Sequence, residues 1–310
     1  MSVRTQAEQY LAMRRSLGFK LRGEGRMLLE FADRLDLAGQ RTVTTAAAVA
    51  WASQPDGITA AHRQRRLAIV RGFARYLAAF DPDCQIPPRG LLPGRAHRPT
   101  PYHYTAEEIA ALVHAAGTIA APLTAATMQT LISLLAASGI RVGEALALDR
   151  DDIDEQAAMV TGKNDQTRLV PLHPTTAAML AGYAVRRNRL CPTPVSPGFF
   201  LTSTGRRVQH RGVHQIFARL LTAADINTPP GRRRPRIHDL RHTFAVNVLI
   251  GWYEAGVDVS ARLPVLSAFL GHNSPEATYW YLQATPQLLA LAAHRLGAPV
   301  HHAINPATAR

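Results

Sequence analysis

Two patterns in the last third of the chain carry side chains that do chemistry. One reads Ile237-His238-Asp239-Leu240-Arg241-His242-Thr243-Phe244-Ala245. The other reads Leu270-Gly271-His272-Asn273, followed by Thr278-Tyr279-Trp280-Tyr281. The His-x-x-Arg spacing puts His238 and Arg241 on one face of a helix. A dibasic face, a further histidine and a phenol together make a site for an anion, with a nucleophile beside it. For a phosphodiester the needs are a nucleophile, neutralisation of two non-bridging oxygens and a proton for the leaving oxygen. Arginine suits the oxygens, because its planar fork donates two hydrogen bonds and stays charged. Arg241 and Arg141 are the candidates, since Arg141 follows a break at Gly139 and a turn there can aim it inward.

These motifs resemble the signature of the tyrosine recombinases, the phage-integrase-like family. That signature runs from an arginine in a first catalytic box to a lysine on a β-hairpin, then His-x-x-Arg, Leu-Gly-His and a tyrosine. All five stand here in that order, across roughly residues 100 to 290. The resemblance implies a catalytic set of Arg141, Lys163, His238, Arg241, His272 and Tyr281, with Glu144 orienting Arg141. Lys163 would protonate the leaving 5′-oxygen from its hairpin turn. His238 could accept the proton of the nucleophile, and His272 could donate to a non-bridging oxygen. Two tyrosines compete for the attack, and each is otherwise an ordinary core aromatic. The family spacing of nine residues after the Leu-Gly-His histidine selects Tyr281 over Tyr279. A tyrosine conserves the bond energy in a covalent 3′-phosphotyrosine, so rejoining needs neither metal nor ATP and no cofactor is expected.

One rival reading of the same residues is metal binding. His238 and His242 at i, i+4 imitate a zinc helix. Arg241 lies beside both and would repel a dication. Two other functions remain open on this scaffold: a type IB topoisomerase, which shares the cleavage chemistry, and a non-catalytic DNA-binding protein.

The elements that must hold these residues are mostly helical. Residues 5 to 18, 24 to 36 and Thr45 to Trp51 read as helices. A fourth helix is capped by Thr59 and apolar at Ile69, Phe73 and Leu77. It also carries His62, Arg63, Arg65, Arg66, Arg71 and Arg75, a face expected to meet DNA. Six prolines between Pro82 and Pro101 exclude a helix and predict an extended linker. The expected division is a helical DNA-binding domain over 1–85, a Pro/Arg-rich linker over 86–104 and a catalytic domain over 105–310. Two basic domains with a basic linker predict a clamp around a duplex.

The second domain opens with a capping box, Thr105-Ala106-Glu107-Glu108. Helices are expected at 125–138, from Arg141, at 175–189, at 209–224 and from His238. Short β-like runs at Ile153, Met159–Thr161 and Leu169–Leu172 predict a small antiparallel sheet, with Gly162-Lys163-Asn164-Asp165 in a turn. The fold class is therefore mainly α with a small antiparallel β-sheet. Arg232, Arg233 and Arg234 form a basic turn before the His238 helix, suited to phosphate. Residues 251–264 make the segment before Leu270 longer than the family norm by about two helical turns. An apolar helix from Pro286 to Leu296 is expected to dock into a neighbouring protomer, as the family's last helix does. The resemblance is to the simpler recombinases, so no arm-binding module is expected before the first domain.

The chain has 310 residues, 47% of them hydrophobic, enough for two domains with real cores. Its formal net charge of +13 points to a polyanionic partner, with double-stranded DNA the expectation. Lys20 and Lys163 are the only lysines among many arginines, which makes a lysine inside a motif notable. Cys84 and Cys191 have no metal-ligand spacing and form no disulfide framework. No signal region and no apolar run of about 18 residues is present, so a cytoplasmic, nucleoid-associated enzyme without a membrane is expected. The resemblance implies a monomer or dimer when free and a tetramer on paired sites. The function expected is cutting and rejoining of DNA at specific sites.

Overall fold

The structure is a computed structural model that describes residues 1–92, 100–162, 166–228, 233–271, 276–279, 281 and 288–291. The chain divides into two compact units, Met1–Arg98 and Pro99–Arg310.

The first unit is four helices: α1 (Val3–Ser16), α2 (Arg22–Leu37), α3 (Thr45–Ala52) and α4 (Ala60–Leu77). Three of them start on a hydroxyl that accepts a backbone N–H: Ser2 from Thr5, Thr44 from Ala47 and Thr59 from His62. Their apolar faces close over Leu11, Leu28, Phe31, Trp51, Phe73 and Leu77. The buried stripe of α4 is Leu67, Val70, Phe73, Ala74 and Leu77, and Ile69 sits at its margin. That is a 3.6-residue stripe wider than the strict fourth-residue row read from the sequence. The proline-rich stretch begins bound to this unit. The Gln85 N–H donates to the Val43 carbonyl at 2.8 Å, and Arg71 donates to the carbonyls of Pro87 and Pro88 at 2.7 and 2.8 Å. Cys84 and Leu92 pack on the helical core.

The second unit is built around α6 (Pro122–Ser138), which is buried along most of its length through Met128, Leu131, Ile132, Leu134 and Leu135. Packed against it are α5 (Ala106–Gly117), α8 (Pro174–Leu190) and α10 (Asp239–Glu254). The Thr105–Glu108 capping box that starts α5 is formed in both directions. After α7 (Val142–Ala147), the strands β1 (Ala157–Thr161) and β2 (Thr167–Pro171) pair antiparallel, from Ala157 opposite Pro171 to Thr161 opposite Thr167. Ile153, expected as a third run, contributes a single bridge to Ala158. Next come α9 (His210–Ala223), α11 (Val259–Leu270) and the short α12 (Glu276–Tyr279). The long segment over 251–264 is built as the last turn of α10, a turn at Gly256 with φ of 73°, and the first half of α11.

Two apolar clusters serve this unit. The larger gathers α5–α9 and the hairpin; the smaller joins Leu249 of α10 to Leu263, Leu266 and Leu270 of α11 and to Tyr281 and Leu288. Leu288 belongs to the tail expected to dock on another protomer, yet its side chain is buried in its own unit. The rest of that tail, apart from Leu289–Leu291, lies outside the described residues. Among the described residues no helix is long and apolar enough to cross a membrane.

Candidate active site

The site begins where α6 stops. Gly139 takes a φ of 61°, a left-handed conformation that glycine adopts without strain. The ring of Phe244 fills the space where a Cβ would stand. The reversal leaves the Gly139 carbonyl facing α10, where it accepts from Arg241 Nη1 at 2.8 Å. Two residues on, Arg141 is the extended residue that opens α7. Its backbone N–H and its Nη1 both donate to Glu144, at 3.0 and 2.6 Å.

The C-terminal end of α11 faces the same place. The last carbonyls of a helix lack partners inside it and carry partial negative charge. Here three consecutive carbonyls each meet a different arginine. Phe269 accepts from Arg168 Nε at 3.0 Å, Leu270 from Arg241 Nη2 at 2.6 Å and Gly271 from Arg141 Nη2 at 2.8 Å. Arg168, on β2, turns its other nitrogens to Glu144 at 3.2 and 2.8 Å. Two guanidinium groups therefore hold one buried carboxylate, and Arg241 adds a third cation at the same helix end, leaving an excess of positive charge for an incoming anion.

Burial alone would raise the Glu144 carboxyl; hydrogen bonds from Arg168 and Arg141 outweigh it and hold the group below the ordinary carboxylate range. Burial pushes Arg241 down to about 10, helped by the charge of Arg141 and opposed by Tyr281 and Glu144. It stays charged at neutral pH. Arg241 is also hydrogen-bonded to the side chain of Tyr281, which is only 2% exposed and lies with its ring 5.4 Å from that of His242. Tyr279 is 52% exposed. Of the two tyrosines, then, Tyr281 is the one held at the arginine pair.

His238 precedes α10 as a half-buried residue, its ring edge-on to His242 at 5.0 Å. It lines an open cavity of about 460 Å³ together with Arg141, Glu144, Thr161 and Gly162. Asp239 fixes the start of this helix by accepting from the Arg236 N–H at 2.8 Å. Lys163 and His272, which follow Gly162 and Gly271 in the chain, lie outside the described residues.

The expected DNA-contact residues divide. Arg233 and Arg234 are exposed, and Arg234 also donates to the Ala218 carbonyl at 2.6 Å; Arg232 lies outside the described residues. Arg63 is half-buried. Arg66 is a correction. Its guanidinium stacks on Trp51 at 3.7 Å and donates to the Trp51 carbonyl at 3.1 Å, which places it in the core of the first unit. The guanidinium is buried against an aromatic face, a carbonyl and Glu30 at 3.4 Å, which leaves little of it at the surface for a phosphate.

Two features of the site were not anticipated from the sequence. Arg168 was passed over as the residue before an apolar run, and nothing local marks it as a partner of Glu144. His210 and His214 also line the cavity, with rings 4.4 Å apart. Their i, i+4 spacing puts both rings on one face of α9.

The phage integrase family matches residues 103–287, the span that contains Arg141, Glu144, Arg168, His238, Arg241 and Tyr281. The chain belongs to that family. An integrase/recombinase by name, y4rB of Sinorhizobium fredii, is 41% identical over 302 residues, which is 94% of this chain and 96% of that protein. The fold is shared with a XerH site-specific recombinase bound to a palindromic difH substrate, at a TM-score of 0.66 and 20% identity, covering 88% of this chain and 78% of that one. It is shared too with a lambda integrase tetramer bound to a Holliday junction, at a TM-score of 0.64 and 16% identity, covering 91% and 77%. This phage-integrase-family chain is a tyrosine recombinase, and its site is a mostly helical frame with a two-stranded hairpin at the edge.

Proposed function

We propose that this tyrosine recombinase cuts and rejoins double-stranded DNA at specific sites through Tyr281. The observation that carries the reading is the Tyr281 side chain bonded to the buried Arg241, which also feels the charge of Arg141. A phosphodiester entering there would place its non-bridging oxygens on the free donors of Arg141 and Arg241. Tyr281 attacks phosphorus, and its proton passes to His238. The bond to the 5′-oxygen breaks, and Lys163 protonates that oxygen as it leaves. His272 donates to a non-bridging oxygen. The product is a 3′-phosphotyrosine, and attack by the 5′-hydroxyl of a partner strand reverses every step. Bond energy is kept, so neither ATP nor a metal takes part.

In this reading residues 1–85 bind the duplex, 86–104 link and 105–310 cleave. Exposed Arg65 and Arg75 on α4 and exposed Arg233 and Arg234 support a backbone-contacting role for both units. Two inverted half-sites bind two protomers, as the palindromic substrate of the XerH relative illustrates for that enzyme. Strand exchange then runs in a tetramer, the segment after Leu291 crossing to a neighbouring protomer. The enzyme works in the cytoplasm, on the nucleoid.

The test uses a supercoiled plasmid bearing two copies of a duplex that the purified protein has selected from a random pool. In EDTA and without ATP, recombinant circles are expected from that plasmid and none from one without the sites. Relaxation of the site-free plasmid with no recombinants would instead mean a topoisomerase.

A further inference from the structure

Arg168 makes more contacts across the site than any role in the cleavage chemistry needs. Its side chain spans three elements: it starts on β2, forks onto Glu144 of α7 and caps the Phe269 carbonyl at the end of α11. Gly271 is shaped around it. A Cβ added there would stand 2.6 Å from Arg168 Nη1, and the backbone φ of 64° also favours glycine. Glu144 in turn holds Arg141 by both its backbone and its fork. Each of the three Arg168 nitrogens donates to a protein group, two of them to the Glu144 carboxylate.

We propose that Arg168 is a positioning residue for cleavage: it locks Glu144, and through it Arg141, against the end of α11 so that the two phosphate-binding arginines keep one geometry. The inference rests on the reading of the site as a DNA cleavage centre. The groups facing Glu144 are Arg168 from β2, Arg141 from the start of α7, Arg241 and His238 from the α10 side, and His210 and His214 across the cavity. Without Arg168, Glu144 loses the leading hydrogen bond that lowers its carboxyl, so the carboxyl rises relative to wild type. A protonated Glu144 cannot hold Arg141 by charge. Activity would then fall at a higher pH on the acid side than in the wild type, a change that loss of packing alone does not cause.

The experiment measures single-turnover formation of the covalent adduct on a nicked duplex that wild type cleaves, together with duplex affinity and a pH–rate profile. Arg168→Met is expected to lose roughly 100-fold in rate, the scale of small misplacements at a reacting centre, with affinity unchanged. Its acid limb should move up, and that upward shift should be absent when Arg168→Met is combined with Glu144→Gln. Arg168→Lys keeps the charge without the fork and should fall between wild type and Arg168→Met. It is also the variant to read if Arg168→Met does not fold, as circular dichroism would report. Wild-type rate and an unmoved acid limb in the folded variant would overturn the proposal. A wild type that forms no adduct at all would instead remove the recombinase reading beneath it.

Discussion

Arg66 and Arg241 are two arginines with buried guanidinium groups and opposite uses. Arg66 stacks on Trp51 and is spent entirely on its own unit. Arg241 caps two carbonyls and still reaches Tyr281. The sequence could not separate Arg66 from Arg63 or Arg65, because identical side chains within a single turn differ only in the direction each one points. Arg241 was legible because it sits in an ordered motif. Arg66→Ala should therefore lower stability by about 1–3 kcal/mol, through lost stacking and an unpaired carbonyl. Urea denaturation would measure this. A true phosphate contact would behave otherwise: stability unchanged, and a salt dependence of DNA affinity shallower by about one unit.

At the scale of elements, the site depends on where two helices end. α6 stops at Gly139 and α11 stops at Gly271, and both stops present carbonyls to the arginines. Glycine as a helix terminator is readable in a sequence, as are the Thr59 cap of α4, the capping box of α5 and the turn-rich hairpin; the Ser2 and Thr44 caps of α1 and α3 emerge only in the structure. What those ends face is not readable, because Phe244 over Gly139 and Arg168 over Gly271 come from distant stretches brought near by packing. Gly139→Ala tests the first. The left-handed backbone costs about 1–2 kcal/mol for a residue with a Cβ, and displacing the Phe244 ring adds to it. The variant should melt several degrees lower and cleave more slowly, since the carbonyl under Arg241 shifts. A melting point equal to wild type would show that the turn tolerates a side chain.

For the whole molecule, the order of motifs along the chain was enough to place the family, and the net charge of +13 was enough to expect DNA. The proline-rich stretch marked a boundary near where the two units part, but its first half is tied to the helical unit through Arg71, a contact that composition alone does not predict. Of the apolar tail, only residues 288–291 are described; they are helical, and Leu288 is buried in its own unit. All of this converges on one claim, that the molecule breaks DNA with Tyr281. The direct measurement is a denaturing gel shift of labelled nicked duplex in EDTA, comparing wild type, Tyr281→Phe and Tyr279→Phe. Wild type and Tyr279→Phe should trap a covalent protein–DNA adduct, and Tyr281→Phe should bind the same duplex and trap none. An adduct that persists in Tyr281→Phe and disappears in Tyr279→Phe would contradict the account.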